Sequence, residues 1–478
     1  MSSPPLSHSE ENKWHEEIRR RELRRCAETL ARIAEHTEFA EDFANEAPRV
    51  LAKLIGETAN MLGVLLEKTI PSRDLEHVNT LLGFFTPHLR YVERARVSQT
   101  PWSIIQSAER LFMLATGAKG HFILRPTWTY NYSIIGEFVS TYRKSLSSWP
   151  WFPFDEWEKR VGLSIEDCIY CISFPRIERS NCLLHANWGH EVGHILVAKW
   201  VIDGFADTWA SDEPEIRKQV EDHVTKNLPQ GVDPLFKALT IQDIVARQMN
   251  ATMQVAKQGL VELLCDRVGV HILGPSAVAA TMEFAARFAM DASPLQSSFY
   301  PPWRYRLRKM LQHCTPDLEN TEGSYLEPEI SSLIEWLRYG KRLSAVEGDL
   351  EVLKSNPVTR EAYKFVDKHW GEAASKVTSM LPSELSTSYR LYEQKKVVVD
   401  LVRRIQNGIP PNEISHLCEE PASFQNILVA AWAHKMDQIR SNPSWGSNDD
   451  FSLLFRLVLK GCESSFVHSK WGKALREK

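Results

Sequence analysis

The chain has 478 residues, 43 % of them hydrophobic and 25 % charged, with a net charge of −4. That composition is ordinary for a folded globular protein of two or three domains, and its slightly acidic balance gives no support to a nucleic-acid or anionic-membrane surface. Met1 to Lys13 has no apolar core of signal-peptide length and no apolar run is long enough to span a bilayer, so a soluble cytoplasmic protein with reduced thiols is expected.

Residues 11 to 70 read as mainly helical, with Leu51, Leu54, Ile55, Ala59, Leu62 and Leu66 at helical spacing before Pro71. The arginines from Arg19 to Arg25 alternate with Glu16, Glu17 and Glu22, the pattern of a solvated helix face. Thr100-Pro101 opens another helix. From Thr127 to Ile134, Trp128, Tyr130, Tyr132 and Ile134 alternate with polar residues, which predicts a half-buried strand. Cys168 to Phe174 is a second short strand, closed by Pro175. On a strand Cys168 and Cys171 face opposite sides, so they are expected in the core rather than on a metal.

A helix is predicted from about Ser180 or Asn181 through Trp200, with Leu183, Leu184, Trp188, Val192, Ile195 and Leu196 on a broad apolar face. An acid-rich loop is predicted from Asp203 to Glu221. A second long helix runs from Ile241 to Ile272 and stops at Gly274-Pro275, and an Ala-rich buried helix follows over Ser276 to Met290. Beyond residue 322, Ile330 to Leu337 and Val397 to Ile405 are amphipathic. The expected fold is mainly α (α+β): an N-terminal helical domain over 1–118, a core with a small sheet over 119–322, and a C-terminal helical domain over 323–478.

The chemistry concentrates in the first of those two long helices, which contains His190-Glu191-Val192-Gly193-His194, an HExxH pattern. Four residues apart on a helix, both imidazoles face one cation, and Glu191 stands beside it as a base for an activated water. A hydrolytic zinc site keeps three protein ligands. The second helix offers Glu262 and Asp266, one turn apart in an apolar setting where carboxylates need a partner. Glu262 is assigned as the third ligand, and Asp266 as the acceptor for the free N–H of a ligand histidine. His185 is five residues before His190 and shares its face poorly. Cys265 lies about 100° around the helix from Asp266 and is assigned to the core. His271 and His313 are given no role.

A third element, Tyr300-Pro301-Pro302-Trp303-Arg304-Tyr305-Arg306, follows. The ordered set HExxH, ExxxD and Pro-Pro with a downstream arginine resembles the gluzincin metallopeptidases, and within them the HtpX-type and CAAX prenyl protease group. The resemblance covers roughly residues 165 to 310. It implies a helical zincin-like core with a small sheet, one Zn2+ per chain, and endopeptidase chemistry on a protein or peptide substrate. It implies His190, His194 and Glu262 as ligands, Glu191 as base, Asp266 behind the ligands, and Arg306 at the family's arginine, where it is a catalytic candidate for stabilising the oxyanion with the zinc. Tyr300 stands where the family usually has histidine. Its hydroxyl has two readings, an oxyanion donor or a packed aromatic. Many relatives span a membrane and this chain has no such segment. The strand Cys168 to Phe174 is a candidate edge for substrate backbone.

The sequence therefore predicts a soluble zinc endopeptidase. The alternative is a catalytically silent or regulated scaffold of the same fold, to which the long helical flanks would bring a regulatory partner.

Overall fold

A computed structural model describes residues 8–39, 42–67, 70–117, 119–164, 167–227, 234–288, 290, 300–319, 327–345, 356–385, 387–414 and 420–476. The described chain is mainly helical with two small sheets. It divides into two compact units, Met1–Glu109 with Ala118–Arg179, and Arg110–Gly117 with Ser180–Lys478. The boundaries expected near 118 and 322 both fall outside the described residues, as does Cys418. The helices beyond 322 belong to the same unit as the HExxH helix.

In the first unit the helices His8–Glu38 and Ala47–Glu67 pack along each other, joined by the apolar face that begins at Leu51 and Leu54. The sheet has the order β1-β3-β2, with β1 Lys119–Thr127, β2 Ser133–Ile135 and β3 Asp167–Pro175. β1 runs parallel to β3 and β2 antiparallel to it. The predicted strand Thr127 to Ile134 is therefore corrected. β1 ends at Thr127 and β2 starts at Ser133, and residues 128–132 carry the chain across the end of β3. There the alternation has other uses: Trp128 is exposed beneath the Arg176 guanidinium at 4.6 Å, and the Tyr130 hydroxyl donates to Glu178 at 3.1 Å.

β3 is also corrected as a substrate edge. It is the central strand, paired with β1 over its whole length and with β2 at Cys171 to Ser173. The Glu137 carboxylate takes the Ile169 N–H at 3.1 Å while capping the helix Phe138–Ser147. Among the described residues β3 is therefore not an edge strand, and a strand added along it would have to displace β2 and the Glu137 contact. Cys168 and Cys171 are buried, and burial pushes both thiols up to about 11, as core cysteines behave.

His88 gives this unit a pH dependence. Its Nδ1 lies 3.0 Å from the buried Tyr142 hydroxyl, and its ring meets Phe84 and Phe138 edge-on. Burial lowers its pKa from 6.5 to about 4. The unfolded chain then binds the proton more readily, so the His88 contribution is complete above pH 6.5 and is lost as pH falls toward 4. Going from pH 7 to pH 5 should cost on the order of 2 kcal/mol. Urea unfolding of His88→Gln at the two pH values checks this; an undiminished pH slope in the variant would assign the effect elsewhere.

In the second unit the HExxH helix spans Trp188–Trp200, later than the predicted start because a 3-10 turn, Leu184–Asn187, precedes it. His185 is buried and stacks on Trp188, with ring centroids 4.3 Å apart. The chain continues through a π turn, Val201–Phe205, into the helix Ala206–Asn227. The acid-rich loop expected over 203–221 is thus a helix. Most of its acids face outward, while Trp209, Ile216, Val220 and Val224 recur on one buried face together with Asp212, which pairs with Lys368 and His369 at 2.8 and 2.9 Å. The long helix Pro234–Leu273 packs against the HExxH helix and against Pro357–Ser379. It ends at Gly274, whose positive φ no side chain tolerates easily, and Pro275–Ala285 follows as the buried Ala-rich helix. His271 and His313 stack with centroids 5.9 Å apart and reach Leu385 O and Ser388 Oγ, so both tie the segment around residues 385–388 to their own helices within this unit. No described helix is long and apolar enough to cross a membrane.

Candidate metal centre

Two helices build the site, and glycines decide how closely they meet. A Cβ on Gly193 would lie 2.7 Å from Cys265 Cα and 2.9 Å from its carbonyl oxygen. A Cβ on Gly189 would lie 3.0 Å from Gly269 Cα, and one on Gly269 would lie 3.1 Å from His190 N. As the HExxH helix advances one turn the partner retreats one turn, so the helices cross antiparallel with backbones touching. His190 and His194 flank this contact on one side, Glu262 and Asp266 on the other.

The resulting distances are short. His190 Nε2 is 3.3 Å from Glu262 Oε2, His194 Nε2 is 4.0 Å from Glu262 Oε1, and the imidazole centroids are 4.9 Å apart. His190 Nδ1 is 2.8 Å from Asp266 Oδ1. Arg306, on the helix Trp303–His313, grips the same carboxylate with two bonds, Nε to Oδ2 at 2.8 Å and Nη2 to Oδ1 at 2.6 Å. The Arg306 guanidinium also lies over the Trp303 ring, 4.8 Å from its centroid. Asp266 and Arg306 are both buried. Gln258 Nε2 donates to Glu262 Oε1 at 3.1 Å.

The electrostatics follow from these contacts. Burial alone would raise Asp266, but Arg306 and His190 outweigh it and hold the carboxyl well below the usual range. Asp266 is therefore an anion, and His190 Nδ1 is its donor. Burial would lower His190, yet Asp266 and Glu262 together raise it to about 10. A proton on His190 Nε2 and a metal ion there compete for one position. His194 is lowered to about 4, by burial first and then by the His190 charge, so it is neutral with a lone pair to give. Glu262 is pulled down by His190 and Arg306 against the effect of burial.

Glu191 is buried on the same helical turn. Tyr300 is partly buried at the mouth of the helix that carries Arg306. Burial, then the charge of Glu262, raises its phenol, with Glu191 adding to the shift. The structure thus brings His190, Glu191, His194, Glu262, Asp266, Tyr300 and Arg306 into one neighbourhood.

Two further groups belong to it. The Cys265 sulfur and one nitrogen each of His190 and His194 all lie within 4.8 Å of one another, a spacing that one metal ion can bridge. Cys265 is fully buried, as its core assignment expects, and it also borders the histidine pair, which that assignment did not foresee. Its phase was measured from Asp266, whereas from Glu262 it is three residues on and only about 60° away. The second group is Tyr363, on the helix Pro357–Ser379. Its buried hydroxyl has no hydrogen-bond partner among the described residues, and the charges of Arg306 and Glu262 reach it. No local pattern around residue 363 announces this placement.

The helix contact makes a direct prediction. Gly193→Ala places a methyl against the backbone of Cys265, which has no rotamer with which to move aside. It should destabilise the protein by about 1–3 kcal/mol and abolish stoichiometric metal binding. Gly371→Ala is the control, since nothing lies within 4 Å of the added Cβ in the helix Pro357–Ser379. It should stabilise by about 0.5–1 kcal/mol. Thermal unfolding and metal analysis of both variants decide; equal behaviour would remove the special role of the contact.

No protein-family model, no curated protein and no solved structure matches the chain.

Proposed function

We propose that the chain is a zinc-dependent endopeptidase with a zincin-like, gluzincin-type core, acting on protein or peptide substrates. One observation supports this reading above the others. The Asp266 carboxylate occupies His190 Nδ1 and is itself clamped by Arg306, which leaves His190 Nε2 aimed at Glu262 and beside His194. Such an arrangement orients an imidazole as a metal ligand and raises its basicity. Two imidazoles with a carboxylate suit a borderline-soft ion such as zinc.

His190, His194 and Glu262 would hold the ion. When bound, zinc supplies Lewis acidity and acidifies water at its open position. Glu191 accepts the proton of the attacking water and returns it to the leaving amine. Tyr300, whose raised pKa keeps its hydroxyl protonated, donates to the oxygen of the scissile carbonyl as negative charge develops there. Arg306 acts one step back, by holding Asp266 and through it His190.

The test is metal analysis of the purified chain, followed by cleavage of a peptide library by wild type and Glu191→Gln. One zinc per chain with cleavage lost in the variant is expected. One zinc with no cleavage by wild type would favour a catalytically silent scaffold, and absence of bound metal would end both readings.

A further inference from the structure

The Cys265 thiol has no part in the mechanism above, yet it stands among the proposed donors. It is fully buried, and its sulfur lies within 4.8 Å of nitrogens from both histidines. Its backbone is pinned there. The Gly193 contact presses the HExxH helix against Cys265 Cα and its carbonyl oxygen, which fixes the backbone while χ1 rotation can still carry the sulfur toward or away from the histidines. Glu262 occupies the preceding turn of the same helix, with its oxygens 3.3 and 4.0 Å from the two imidazoles. The histidine pair therefore has two candidate partners, Cys265 and Glu262, whereas a hydrolytic zinc site keeps three protein ligands and leaves the fourth position to water.

We propose that Cys265 is a metal ligand, and that its thiolate takes the position water needs, giving a closed, latent form of the centre. The inference rests on the metal reading of the histidine pair. Binding forms a metal–sulfur bond and releases the S–H proton to solvent; opening breaks that bond, and the thiolate takes a proton back as water enters. No oxidant or reductant is involved. The sulfur also biases the site toward ions that favour thiolate, such as zinc and cobalt, over magnesium or calcium.

Cobalt(II) is the probe, because thiolate coordination gives a near-ultraviolet charge-transfer band that nitrogen and oxygen ligands do not. The full chain loaded with one equivalent of Co2+ should show this band. Cys265→Ser and Cys265→Ala should lose it while still binding one cobalt, and His194→Ala should lose both band and ion. Peptide cleavage by the zinc form should rise in Cys265→Ala. If Co2+ binds at one equivalent and wild type shows no band, Cys265 is not a ligand and the histidine site survives without it. If no Co2+ binds, the metal reading itself fails and the inference goes with it. A band with no gain in cleavage would keep the thiolate as ligand and overturn the latency. Wild type carries the decisive spectrum, so a variant that fails to fold does not remove the test.

Discussion

Glu191→Gln is expected to lower kcat/KM for peptide cleavage by about 10²–10⁴-fold, the usual contribution of a positioned general base. That corresponds to roughly 3–5 kcal/mol at the transition state. Glutamine preserves the volume of a side chain that is only 4 % exposed, so the helix Trp188–Trp200 should fold as before. The change removes proton acceptance and little else. Zinc content should stay at one per chain, since the proposed donors are untouched. Cleavage near the wild-type rate, at equal zinc content, would take the base role away from Glu191.

The second large effect concerns Arg306. Replacing it by methionine leaves the Asp266 carboxylate, 1 % exposed, without the guanidinium that, ahead of His190, keeps it ionised. Removing one partner of a buried pair costs about 3–5 kcal/mol. His190 also loses the fixed acceptor that orients its ring, and zinc affinity should fall by about 10–100-fold. Adding Asp266→Asn should recover part of the stability. The amide carries no charge, and its oxygen still accepts from His190 Nδ1. Urea unfolding and competition against a zinc chelator measure the two effects. If Arg306→Met alone proved as stable as wild type, the buried pair would not be holding the centre.

The site was more legible than the fold around it. Apolar spacing announced both long helices, and four-residue separations announced that His190 with His194, and Glu262 with Asp266, share faces. What local sequence does not contain is which face meets which. Gly189, Gly193 and Gly269 read as unremarkable small residues until the helices are seen crossing through them. That the buried Cys265 also borders the histidine pair was hidden for the same reason, because its phase matters relative to Glu262 and the partner helix, not to Asp266. Tyr363 arrives from a distant helix with no motif of its own. The helix Ala206–Asn227 was hidden by its acidic outer face, and the strand expected over Thr127 to Ile134 failed because alternation there reflects a crossing over β3. Each failure sits where a tertiary contact, rather than a local preference, decides the outcome.

The backbone contact between the two donor-bearing helices has one more consequence. Donor separation in most two-helix sites depends on interlocking side chains, which breathe as rotamers change. Here the spacing of the helix backbones is set by main-chain atoms resting against one another at Gly189, Gly193 and Gly269. The spacing of the two backbones is therefore settled when the chain folds, and on the metal reading proposed above an ion would meet donors that already stand close together. On that reading, the part of the ordering cost that belongs to the backbone would be met by the glycine contact before any ion arrives.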